Sequence, residues 1–232
     1  MCFRLIVQRT LHGRRQGRSL RKGQKTLIQE LLPSLEVLLP AQKSTLNPTY
    51  LFAPPVKEIW LEIGFGAGEH LIQQALKHPS VGIIGCEPYI NGVARLLRSV
   101  AEHEIKNLRV FRDDARLLLK ALENESIART FILFPDPWPK ARHHKRRMIG
   151  PSTVPLLYRK MMKGSELRIA TDDKSYKEWI LWHILFSNKF DWCAQRPSDW
   201  KIRPQDWPET RYEKKAVKEG RQCSYFLFKR RN

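Results

Sequence analysis

The sequence predicts an α/β fold, a mostly parallel sheet with helices on both faces. Three observations predict it: short apolar runs alternate with amphipathic stretches, a glycine-rich turn follows the first strand-like run, and acids stand at or just past the ends of the runs. Alternation at this pitch implies right-handed crossovers between parallel strands.

Residues 26–39 are apolar with few charges and predict a short helix. Residues 40–55 are interrupted by prolines and predict a linker over the surface. Ile59-Trp60-Leu61-Glu62-Ile63, ended by Gly64, suits a buried strand feeding a turn. From Gly68 onward Leu71, Ile72, Ala75 and Leu76 recur at helical spacing, which puts Gln73, Gln74 and Lys77 on the opposite face. A second strand is expected at Val81–Cys86, a helix at 93–100, a third strand at Leu108–Phe111 and a helix at 115–122. The fourth strand, 130–134, stops at Pro135. Leu167-Arg168-Ile169-Ala170 and residues 224–228 supply at least two more, and no internal repeat is visible.

A chain of 232 residues has room for one large α/β domain and a short appendage. The expected division is a basic N-terminal arm and linker over residues 1–55 and the domain over 56–232.

The 42 Lys and Arg against 23 Asp and Glu leave a formal charge of +19, which calls for nucleic acid or an anionic membrane as partner. The distribution favours nucleic acid. No acid precedes Glu30, whereas Arg4, Arg9, Arg14, Arg15, Arg18, Arg21, Lys22 and Lys25 do. An Arg-rich, acid-poor start also suits a transit peptide, a rival weakened because residues 14–18 have no apolar face. No stretch approaches the ~20 apolar residues of a membrane helix, and residues 1–7 lack a signal-peptide pattern, so no membrane is expected. Cys2, Cys86, Cys193 and Cys223 are scattered, which argues against zinc and a disulfide framework. The expected compartment is reducing cytoplasm.

Ligands of an open parallel sheet bind beyond the carboxyl ends of its strands, where Glu62, Glu87, Asp114 and Asp136 stand. Gly64 and Gly66, in Gly64-Phe65-Gly66-Ala67-Gly68, let the backbone approach a ligand closely. A dinucleotide fingerprint would need glycine at 69, and Glu69 there also repels a pyrophosphate, which goes against a nicotinamide-dependent dehydrogenase. A neutral or cationic nucleoside fits better. Glu87 can accept both ribose hydroxyls of an adenosine, or be a helix-start charge beside a capping Asn91. Asp114 can take an adenine amino group or cap the next helix.

The most specific stretch is Phe134-Pro135-Asp136-Pro137-Trp138-Pro139-Lys140, followed by Arg142, His143, His144, Lys145, Arg146 and Arg147, with no further acid until Glu166. Three prolines stiffen the turn and fix Asp136 and Trp138 at the sheet edge. These residues resemble the tRNA (guanine-N7)-methyltransferase family, of the bacterial single-subunit type, whose mark is F-P-D-P-W-x-K-x-R-H-x-K-R-R. The likeness continues in Leu61-Glu62-Ile63-Gly64-Phe65-Gly66, Ala170-Thr171-Asp172 and Thr210-Arg211-Tyr212-Glu213. One departure is Ala216, where the family usually has a glycine, although Gly220 is present.

The resemblance implies a Rossmann-like class I methyltransferase fold with a seven-stranded sheet that includes an antiparallel strand. It implies S-adenosylmethionine as cofactor, held by Glu62, Glu87, Asp114 and Asp136, with Asp136 also catalytic. It implies tRNA as substrate, bound through Lys140, Asp172, Thr210, Arg211, Tyr212 and Glu213, and methylated at guanine N7 of nucleotide 46 in the variable loop. Lys140, Arg142, Lys145, Arg146 and Arg147 are expected on phosphates near the target. His143 and His144 are grouped with them, and since adjacent histidines cannot both face one ion on regular structure, no metal is assigned.

Guanine N7 carries a lone pair and no proton, so attack on a sulfonium methyl needs no base, and placement has to supply most of the catalysis. A carboxylate at Asp136 can accept from guanine N1–H and N2–H, donors that adenine lacks, and its charge balances the purine cation as it forms. Trp138 can stack on a base or anchor the turn. A catalytically silent RNA-binding module is a further rival, opposed by the intact acids at four strand ends.

Overall fold

In a computed structural model, residues 12–41 and 44–232 are described; the arm cations Arg4 and Arg9, Cys2 and residues 1–7 lie outside them. In chain order the elements are α1 (Lys22–Glu30), α2 (Leu32–Leu35), β1 (Glu58–Ile63), α3 (Glu69–Lys77), β2 (Val81–Cys86), α4 (Ile90–Glu102), β3 (Leu108–Phe111), α5 (Ala115–Ala121) and β4 (Ile127–Leu133). They continue as α6 (Val154–Lys160), β5 (Met161–Thr171), α7 (Lys174–Phe186), β6 (Phe190–Trp192), α8 (Ser198–Lys201), α9 (Arg211–Lys218) and β7 (Ser224–Arg230).

The seven strands lie in the order β3-β2-β1-β4-β5-β7-β6, and β7 alone runs against its neighbours. The chain lays β2 and β3 on one side of β1 and then returns to lay β4 on the other. That reversal opens a crevice beyond the carboxyl ends of β1 and β4.

Strand alternation divides the core into two layers. Ile59, Leu61 and Ile63 point to the side of Leu118, Leu157, Ile180 and Ile184 on α5, α6 and α7. Trp60 points to the side of Leu71, Leu96 and Leu97 on α3 and α4.

Three expectations are corrected. The helix expected at 26–39 begins earlier and ends at Leu35, because Glu36 turns extended and bridges Val110 beside β3, seating Val37 in the core and leaving Leu38 exposed. The stretch 40–55 is more than a surface linker, since Leu46 bridges Leu122 and the Phe52 side chain is buried. On α3, Gln74 is buried and Leu76 exposed: Gln74 donates to Nε2 of His70, one turn earlier, and to the Asp206 carbonyl, both at 3.2 Å.

Candidate active site

The loop after β1 has left-handed backbone at Gly64 (φ 79°) and Gly66 (φ 58°). A Cβ built on either glycine would meet no protein atom within 4 Å. The face this loop turns to the crevice is therefore bare backbone.

Glu87, just past β2, grips that loop: Oε2 accepts from the Gly66 N–H at 2.8 Å and Oε1 from the Tyr89 N–H at 3.0 Å. Burial pushes its carboxyl above the ordinary glutamate range, against the lowering effect of those two bonds. Glu62 is buried at the same end of β1 and accepts from His70 Nδ1 at 2.7 Å, so a helix residue orients it. Asp114 caps α5, accepting from the Arg116 N–H at 2.9 Å, and faces the Arg116 guanidinium at 3.2 Å while lining the cleft. Capping and a ligand-facing position thus coexist there. Asn91 does not cap α4; the N-cap is Tyr89, without a side-chain bond.

Opposite stands the proline turn. Phe134 (φ 49°) and Trp138 (φ 44°) are left-handed, a conformation bulky side chains rarely adopt, so the turn is held by its surroundings. Arg147 is one of the holders. Its Nε donates to the Pro137 carbonyl at 2.7 Å and its Nη2 to Ser175 Oγ at 2.9 Å. Its guanidinium carbon stands 5.0 and 4.9 Å from the ring centroids of Tyr176 and Trp179. Only 3% exposed, Arg147 braces the turn from inside and does not join the phosphate-facing cations expected of it. His144 also turns inward, its ring 5.1 Å from Trp179. Lys140, Arg142 and Lys145 are exposed. Arg146 lies over the Trp138 ring at 4.9 Å, and His143 meets the same ring edge-on at 5.8 Å. Burial followed by nearby cations lowers the His143 pKa, which favours the neutral ring.

Asp136 is exposed on the wall of a cleft of about 870 Å³, which Glu62, Gly64, Gly66, Glu87 and Asp114 also line. Thr210 caps α9 by accepting from the Glu213 N–H at 3.2 Å. Glu213 is buried beneath, bound by Tyr225 Oη at 2.5 Å and Arg203 Nε at 2.9 Å. That anchoring carries Arg211 and Tyr212 to the cleft, where Tyr212 stacks on Phe134 at 6.1 Å and Arg211 pairs with Glu69. Asp172 lies outside the cleft lining and pairs with Arg221. Ala216 sits in regular helix with its side chain buried, and the left-handed residue is Gly220 (φ 72°), so no glycine is needed at 216. The basic arm was expected, but its place at the site was not: His12, Gly13 and Arg14 line the cleft, held by contacts to α4 that no local pattern signals.

Among the described residues no group of His, Cys, Asp or Glu is placed to hold a metal, and no helix is long and apolar enough to cross a membrane. The bare loop, the acid at the end of β2 and the carboxylates of Glu62, Asp114 and Asp136 on the cleft wall fit a cationic adenosyl sulfonium such as S-adenosylmethionine.

The sheet order with its one antiparallel strand, and a cleft at the switch point between β1 and β4, are those of the class I methyltransferase fold. The profile of the family described as "Putative methyltransferase" matches residues 56–225. The tRNA (guanine-N(7)-)-methyltransferase of Rhodospirillum rubrum is 46% identical over 222 residues, covering 95% of this chain and 87% of that protein. That of Zymomonas mobilis is 44% identical over 225 residues, covering 97% and 96%. The chain belongs to the tRNA (guanine-N7-)-methyltransferase family. Among solved structures the 16S rRNA methyltransferase KamB shares the fold, with a TM-score of 0.55 at 11% identity over 76% of this chain and 89% of that one.

Proposed function

We propose that the chain methylates guanine N7 in tRNA, at nucleotide 46 of the variable loop, with residues 56–232 as the methyltransferase domain and residues 1–55 as a basic arm and linker. The reading rests on one observation: an exposed carboxylate, Asp136, stands at the end of β4 in the same cleft as the glycine loop and Glu87. When bound, S-adenosylmethionine supplies an electrophilic methyl group. Gly64 and Gly66 offer bare backbone to it, Glu87 retains lone pairs for its ribose hydroxyls, and Glu62, Asp114 and Asp136 complete the wall.

Asp136 accepts from guanine N1–H and N2–H and counters the positive charge that grows on the purine. Lys140, Arg142, Lys145 and Arg146 hold the flanking phosphates, His143 borders them, and Arg211 and Tyr212 close the rim beside Phe134. Asp172, Thr210 and Glu213 support that rim from behind, and His144 and Arg147 support the turn.

The purified chain is incubated with a tRNA transcript and S-adenosylmethionine, and N7-methylguanine is mapped by borohydride and aniline cleavage. Cleavage at nucleotide 46, lost when that guanine is replaced by adenine, is expected. Methylation at another atom or base would overturn the proposal.

A further inference from the structure

Asn91 is the second residue of α4, and its amide faces away from the helix. Its Oδ1 accepts from the Gly17 N–H at 2.8 Å, and its Nδ2 donates to the Arg18 carbonyl at 2.7 Å. One side-chain amide thus pairs with two successive residues of the arm where it bends at Arg18, and turning it over would lose both bonds. Beside it the Ile90 N–H, at the start of α4 where such groups lack a partner in the helix, donates to the Arg15 carbonyl at 3.0 Å. Arg15 Nη2 reaches Asp113 Oδ1 at 2.7 Å. At Gly17 the seat is flush: a Cβ there would come within 2.1 Å of Tyr89 Oη, closer than any real contact.

These contacts all lie on the β2 and β3 side of the cleft. From them the arm crosses to the β4 side, where the His12 ring meets Trp138 edge-on at 6.5 Å. His12 and Arg14 therefore line the cleft that Glu87 and Asp136 also line. Downstream, α1 fixes the arm by packing Leu27 and Ile28 on the core layer of α3 and α4.

We infer that residues 12–18 form a fastened strap across the cofactor cleft, with Asn91 as the positioning residue that holds it shut, so that cofactor enters and leaves when this fastening opens. The inference rests on the cleft being the S-adenosylmethionine site. A strap of this kind controls both directions of exchange, whereas a residue that merely touched the ligand would alter release alone. Losing Asn91's two bonds removes stabilisation from the closed state only.

The test uses the full chain and S-adenosylhomocysteine, followed by stopped-flow tryptophan fluorescence in the wild type, Asn91→Ala, Asn91→Asp and Gly17→Ala. For Asn91→Ala both association and release should quicken by about tenfold, the scale of two ordinary hydrogen bonds, while the Kd changes far less. Gly17→Ala, whose added methyl presses on Tyr89 Oη and crowds Asn91 Oδ1 from the strap side while keeping the Asn91 amide, should move both rates the same way. Asn91→Asp keeps the acceptor for Gly17 and loses the donor to Arg18, so it should fall between. Hydrogen exchange should speed up at the Gly17 and Ile90 amides in Asn91→Ala, with the melting temperature nearly unchanged. Unaltered rates in both Asn91→Ala and Gly17→Ala, or faster release alone, would overturn the strap. A wild-type chain that binds no S-adenosylhomocysteine would overturn the cofactor reading itself, and the strap with it.

Discussion

Glu87 is pulled in two directions, because burial disfavours its charge while two backbone N–H groups favour it, and burial prevails. The ionised form is the better acceptor for ribose hydroxyls, so cofactor affinity should fall as pH drops through the raised Glu87 pKa, at a higher pH than an ordinary glutamate would give. For the free protein the sign is opposite: Glu87's contribution to folding is full below the ordinary glutamate value and is lost as pH rises through its raised one. Glu87→Ala should weaken S-adenosylhomocysteine binding by about tenfold or more in calorimetry and remove the acidic inflection, leaving tRNA affinity nearly unchanged. Asp136→Asn keeps the size and turns an acceptor into a donor facing donors. Charge-assisted hydrogen bonds are worth ~1.5–3 kcal/mol, so single-turnover methyl transfer at saturating cofactor should slow by about tenfold or more, in a protein with unchanged melting. Asp136 was legible in the sequence because prolines and a strand end fix its place. The inward turn of Arg147 and His144 was not, because nothing in a run of six basic residues marks which of them meets Tyr176 and Trp179, some thirty positions away.

The turn from Phe134 to Arg147 works as one element, held from inside and charged outside. Arg147→Lys would keep a cation but lose the fork that reaches Pro137 and Ser175 together. It should cost about 2–4 kcal/mol in denaturant unfolding, as expected for hydrogen bonds made by a buried charge, and slow catalysis by loosening Asp136. Lys145→Ala, in the same run but exposed, should leave unfolding alone and weaken tRNA binding in a filter assay. The parallel half of the sheet was legible because β1 to β4 are compact apolar runs closed by glycine, acid or proline. In the second half the strands at β5 and β7 were legible too, and the elements between them were obscured for physical reasons. On α7 the buried Tyr176, Ile180 and Ile184 sit among Trp179, Leu181, Trp182, Leu185 and Phe186, so apolar residues all round the helix hide its period. β6 has three residues, and α9 buries only Glu213 and Ala216 under a charged surface.

For the molecule as a whole, the charge of +19 sets how it meets a polyanion. Removing residues 1–21, which spares α1, should lower tRNA affinity and flatten its dependence on salt, by about 0.7–0.9 in log–log slope for each phosphate that is no longer neutralised. An unchanged slope in a salt titration would show that the arm's arginines do not touch the backbone of the RNA. The sheet order bears on how the chain is made. β7 comes last in this sequence yet lies between β5 and β6, so β5 has a bare edge until residues 224–230 emerge from the ribosome. A nascent chain can close β3-β2-β1-β4-β5 early and must then wait with Leu167 and Ile169 beside an unpaired margin that invites another chain. A chain broken before residue 224 would keep an almost complete cleft and carry an adhesive flank, so the segment that supplies β7 is also what guards the sheet against aggregation.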